Sequence, residues 1–64
     1  MRYLQARKLH NEDEVAFGKR RGRQAVYHGK IIAVHDYPNE KCCTFDIMGD
    51  DGRYLDAIPH TMIF

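Results

Sequence analysis

The chain has 64 residues, of which 44% are hydrophobic and 30% charged, and its formal net charge is +1. That length holds one domain, buries about 60% of the surface its unfolded chain exposes, and supports a stability of about 3–10 kcal/mol; the composition excludes a disordered tail. The longest apolar run, residues 31–34, is far short of the roughly 20 residues of a membrane helix, and no apolar stretch follows Met1 as a secretory leader requires, so a soluble, cytoplasmic protein is expected.

The charge is unevenly distributed. Residues 1–30 carry eight Lys and Arg against three Asp and Glu, a net +5, whereas residues 31–64 carry two against six, a net −4. Such a dipole, if it survives folding, attracts an anionic partner to one face and repels it from another.

Taken in chain order, residues 1–9 hold Tyr3, Leu4, Ala6 and Leu9, a pattern that fits a short helix and a strand equally well. Residues 10–14 are a polar break, and Val15, Ala16 and Phe17 then open a strand predicted over 14–19. Two glycines and four cations, Lys19, Arg20, Arg21 and Arg23, follow between Gly18 and Arg23; the run repels itself and is expected to be an exposed loop. Residues 25–35 are rich in β-branched and aromatic side chains and form the longest predicted strand, in which Gly29 marks an expected bulge or strong bend. Pro38 and Asn39 mark a turn over 36–41, with Asn39 suited to the left-handed region. Alternation of Cys43, Phe45 and Ile47 with Thr44 and Asp46 predicts a half-buried strand. Asp51-Gly52 is a hairpin turn, after which residues 54–58 return as a strand, Pro59 interrupts it, and residues 62–64 supply a fifth. Five short strands without a helix-length amphipathic segment predict an all-β fold, a small five-stranded barrel. A single domain then covers 1–64, with 1–12 as an N-terminal extension. Val15, Ile31, Val34, Phe45, Ile47 and Ile58 are its expected shared core.

The residues Val15-Ala16-Phe17, Tyr27-His-Gly29-Lys-Ile31-Ile-Ala-Val34, Phe45-Asp-Ile47, Asp51-Gly52, Ile58-Pro59 and Ile63 follow one another at the spacing of a Tudor-type SH3-like barrel. The chain resembles that family from Asp13 to Ile63. The resemblance implies an SH3-like barrel and a binding module. In members that hold methylated lysine or arginine, an aromatic cage attracts the cation. Tyr27 falls where one cage wall would stand, but the corresponding places near Gly18 and at 48–51 carry no aromatic residue.

The basic run is the strongest functional signal. Lys19, Arg20, Arg21 and Arg23 can neutralise phosphates, the glycines permit close approach, and Lys30, Arg7 and Lys8 can add backbone contacts. Tyr27 and Tyr37 can stack on unpaired bases, although such tyrosines are more often half-buried strand residues. The rival expectation is a protein-interaction module or inhibitor, docking through exposed Tyr37, Met62 and Phe64. A short freestanding chain would suit a phage or mobile-element accessory role in either case.

Enzymatic and metal chemistry find less support. Four histidines and two cysteines show no Cys-x-x-Cys or His-x-x-x-His spacing, so no metal is expected. Cys42 and Cys43 are adjacent, and strand neighbours point to opposite faces, so one cysteine should face inward without a disulfide between them, as in a reducing compartment. The chain has no serine, which excludes a serine triad. Plasmid-type dihydrofolate reductases share the barrel, but their Val-Gln-Ile-Tyr strand is replaced here by Leu55-Asp56-Ala57-Ile58. A non-enzymatic protein without a cofactor is therefore expected, its partner being nucleic acid or a larger protein and not a membrane.

Overall fold

A computed structural model describes residues 1–18 and 26–64. The ambiguous N-terminal segment is a single helical turn, α1 (Tyr3–Ala6), which buries Ala6. Among the described residues four strands follow: β1 (Glu14–Phe17), β2 (Tyr27–Tyr37), β3 (Cys42–Gly49) and β4 (Tyr54–Pro59). They form one antiparallel sheet in the order β1-β2-β3-β4, so each strand pairs with its neighbour in sequence. One 3-10 turn (Pro38–Glu40) joins β2 to β3 and another (His60–Met62) follows β4. No described helix is long and apolar enough to cross a membrane.

The predicted all-β class agrees with this sheet, but the sheet is open and has four strands. In place of a fifth strand at 62–64, Ile63 makes one antiparallel bridge to Phe17. Gly18 N donates to Met62 O at 2.9 Å and Phe64 N to Ala16 O at 3.0 Å, so the C-terminal residues fasten onto β1. The Met1 amino group donates to Ile63 O, and α1 packs beside β3 and the second 3-10 turn.

Two bulges shape the core. Ile31 pairs with Ile47 and Val34 with Phe45, three residues on β2 against two on β3, with the irregularity between Ile31 and Ala33. Strand parity alone would send Ile31 and Val34 to opposite faces; the extra residue brings both to one. The same device recurs between β3 and β4, where Phe45 opposes Ile58 and Ile47 opposes Leu55. There Ala57 takes a left-handed φ of 53°, a conformation that a β-carbon disfavours.

Val15, Ile31, Phe45 and Ile47 are buried as expected, while Val34 and Ile58 are partly buried against them. Phe17, Cys43, Ile63 and Ala6 complete the core. The bulge or bend expected at Gly29 is a bulge at Ile31/Ala33, and Gly29 itself marks a close approach of β2 to β3. A β-carbon there would lie 2.6 Å from Met48 O and 2.6 Å from Ile47 Cγ2. In the 36–41 turn the left-handed residue is Lys41 (φ 51°) and not Asn39, and Pro59 ends β4 from within it.

Candidate nucleic-acid interface

Lys19, Arg20, Arg21 and Arg23 lie outside the described residues, but the residues on either side of 19–25 are placed. Gly18 is buried at the end of β1 and Val26 is exposed at the start of β2. Both line an open concavity of roughly 730 Å³ at one end of the sheet. Its apolar wall is Phe17, Val26, Tyr27, Leu55, Ile58 and Met62. Leu55 and Ile58 reach it because the β3–β4 bulge turns both inward.

Tyr27 is 53% exposed, and its ring centroid lies 5.8 Å from that of buried Phe17 at an interplanar angle of 31°. Phe17 therefore backs a ring that remains half open to solvent. An aromatic surface so placed can take a flat partner by stacking. Asp50, Asp51 and Arg53 also line the concavity, with the Asp50 amide donating to His28 O at 3.0 Å. Arg53 contacts Asp51, Nε to Oδ2 at 3.5 Å, and its amide donates to Asp51 Oδ1 at 3.0 Å, which fixes the β3–β4 turn.

The remaining candidates do not converge on this place. Lys30 is exposed, but it differs from Tyr27 in strand parity and stands between Glu14 on β1 and Met48 on β3. It projects from the other face of the sheet. Arg7 is engaged elsewhere, 3.5 Å from Asp36 and with its guanidinium 5.5 Å from the centre of the Tyr3 ring. Asp36 also accepts a 2.7 Å hydrogen bond from the Tyr3 hydroxyl, which holds that phenol above its usual pKa. Asp36 is nine residues along β2 from Tyr27, so Arg7 guards the opposite end of the strand. Lys8 is exposed beside it. Of the residues expected to dock a protein, Met62 lines the concavity, whereas Tyr37 is exposed at the far end of β2 and Phe64 beyond the bridge to β1.

One cluster had no sequence signal. Asp46 on β3 accepts a 3.1 Å bond from the Ala57 amide through Oδ1 and meets His35 Nε2 at 3.1 Å through Oδ2. The Ala57 amide above all, and His35 after it, holds the Asp46 carboxyl below the usual carboxylate pKa. The arrangement ties β2, β3 and β4 together and satisfies the amide that the bulge removes from the ladder. His60 Nδ1 lies 2.9 Å from Met1 O and His10 pairs with Asp13, so these histidines have structural partners. Among the described residues no three His, Cys, Asp or Glu side chains converge as metal ligands. Cys43 is buried and Cys42 half-buried; both are free thiols, and burial raises the pKa of Cys43. No protein-family model matches the chain, and no curated protein or solved structure shows significant similarity to it.

Proposed function

We propose that this chain is a non-enzymatic binding module of SH3-like, Tudor-type build that contacts nucleic acid through Lys19, Arg20, Arg21 and Arg23, with Tyr27 as a stacking surface. The observation that carries the reading is the placement of Tyr27: a half-exposed ring, backed by Phe17, one residue beyond Val26 and thus at the root of the basic run. Cations beside an exposed ring are the pairing by which single strands are held, phosphate to cation and base to ring. The barrel assignment is supported by the four-strand meander, the 3-10 turn after β4 and the return of Ile63 to Phe17, the order of parts that a fifth strand would extend. Lys30, on the other face, takes an auxiliary role through long-range attraction.

The test is fluorescence anisotropy with labelled single-stranded DNA, RNA and duplex DNA across a salt series. Four phosphate contacts on a duplex give a log–log slope of about −3.6, and replacing Arg20 and Arg21 by Ala should halve it. Tyr27→Ala should weaken single strands by about 1–3 kcal/mol per stacked base and leave the duplex nearly unchanged. Failure of all three ligands to bind at low salt refutes the proposal. Equal losses for Arg20→Ala and Lys41→Ala refute the assignment to the basic run, since they show only a response to net charge.

A further inference from the structure

We propose that the concavity beside Tyr27 reads one unpaired guanine, stacked on the Tyr27 ring, with its Watson–Crick edge on Asp50 and its O6/N7 edge on Arg53. This deepens the nucleic-acid reading and rests on it, naming the base that a bound strand presents there. Tyr27, Asp50 and Arg53 line the same concavity, whose volume of roughly 730 Å³ falls within the range of about 300–1,000 Å³ usual for small-molecule sites. The half-exposed ring supplies a flat face, and the turn from β3 to β4 supplies the polar groups. That turn is fastened to the strand that carries the ring, since the Asp50 amide donates to His28 O at 3.0 Å and Gly49 pairs with Gly29.

The polar groups select the base. Asp51 is committed to the turn, where its carboxylate accepts the Arg53 amide and meets Arg53 Nε. Among the described residues no side chain pairs with the Asp50 carboxylate, and the Arg53 guanidinium, on a side chain 79% exposed, meets only Asp51. An acceptor-only carboxylate and the Nη donors of an arginine are left for a ligand. Guanine alone among the bases sets two donors, N1–H and the N2 amine, side by side for a carboxylate while offering two acceptors, O6 and N7, to an arginine. Adenine and cytosine set a ring-nitrogen acceptor beside their amine, and thymine and uracil flank one donor with two carbonyls, so each would turn a lone pair toward Asp50. A cationic side chain on the same ring would satisfy Asp50 but set like charge against Arg53. A carboxylate near a phosphate backbone weakens every strand, and only a base that bonds to it offsets the loss.

The test is fluorescence anisotropy with labelled single-stranded thymidine heptamers, plain or carrying one central guanine, adenine, cytosine, hypoxanthine or 7-deazaguanine. The guanine strand should bind about tenfold more tightly than the plain, adenine and cytosine strands, the discrimination that a bidentate contact supplies. Hypoxanthine, which lacks the N2 amine, and 7-deazaguanine, which lacks N7, should each lose about threefold or more. Asp50→Ala should erase the difference between guanine and hypoxanthine, and Arg53→Met the difference between guanine and 7-deazaguanine. Both variants should still bind the plain strand within about threefold of the parent, which shows that they fold. Glu40→Gln, at an exposed site in the first 3-10 turn, should change none of these ratios. Binding of the plain strand without a preference for guanine overturns this proposal and leaves the nucleic-acid reading standing, whereas failure of every strand to bind at low salt overturns both. A guanine preference that survives both Asp50→Ala and Arg53→Met puts the base elsewhere and overturns the site.

Discussion

Replacing Gly29 by Ala isolates a close approach of β2 to β3. The added β-carbon would lie 2.6 Å from Met48 O, 2.6 Å from Ile47 Cγ2 and 3.1 Å from Gly49 Cα. An ordinary C···O approach is about 3.3–3.6 Å, so the strands must part by about 0.8 Å. Met48 O is backbone and cannot rotate away, and Gly29 also pairs with Val15, so separation on one side presses the other. Gly29 does not have a positive φ, so Ala here would otherwise gain about 0.4–1 kcal/mol by restricting the unfolded chain. Overpacking of this kind costs about 1–3 kcal/mol, more when ladder hydrogen bonds are strained with it. With about 0.5–1.5 kcal/mol for a strained ladder bond and the entropic gain subtracted, the expected net loss is about 1–3 kcal/mol, a large share of a total near 3–10 kcal/mol. Urea unfolding followed by circular dichroism measures it, since the chain has no tryptophan. Gly52→Ala is the control with the opposite cause: nothing lies within 4 Å of its β-carbon, but φ is +87°, so its loss is conformational, about 1 kcal/mol. A Gly29→Ala variant within 0.5 kcal/mol of the parent, or less affected than Gly52→Ala, refutes the steric reasoning.

Phe45, fully buried at the centre of the core, should lose about 3–5 kcal/mol on truncation to Ala, so a variant that melts within a few degrees of the parent would mean it is not core. The Asp46 carboxyl, held below its ordinary pKa by the Ala57 amide and His35, stabilises the fold above the unfolded value of about 4, and that contribution is lost as pH falls through the lower folded value. Asp46→Asn, which keeps an acceptor for Ala57 but cannot titrate, should flatten the acid limb of Tm against pH; an unchanged limb refutes this role.

Strand existence was legible because Val, Ile, Phe and Tyr cluster in short runs between Gly, Pro and Asp turns. A bulge or bend in β2 was expected but placed at Gly29, and the bulge in β4 was not foreseen, although both left a mark. Ile31 with Val34, and Leu55 with Ile58, are apolar pairs three apart in strands, a spacing that strict alternation forbids and one extra residue permits. Gly29 drew attention as the only glycine inside β2, but a glycine can serve a bend or a close approach, and only the facing strand decides which. The aromatic member of the candidate interface was legible in Tyr27. Lys30 and Arg7 were not separable from it by sequence, because strand parity and the Tyr3–Asp36–Arg7 cluster decide where their charges point. The Asp46 tie was invisible for a similar reason: its partners lie 11 residues away on either side.

The clasp between Phe17 and Ile63 has a kinetic consequence. Every other strand pairing joins neighbours in sequence, and the β2–β3 hairpin closes across the short 3-10 turn at Pro38–Glu40, so it loses little loop entropy on forming. Phe17 and Ile63 are 46 residues apart, and their meeting in the unfolded chain would cost about 3 kcal/mol of loop closure. Once the hairpins have formed, the intervening chain is already short-circuited, and the same contact closes cheaply. The order of assembly is therefore hairpins first and clasp last. Ile63 belongs to the part of the molecule that governs how fast it comes apart, and the β2–β3 hairpin to the part that governs how fast it forms.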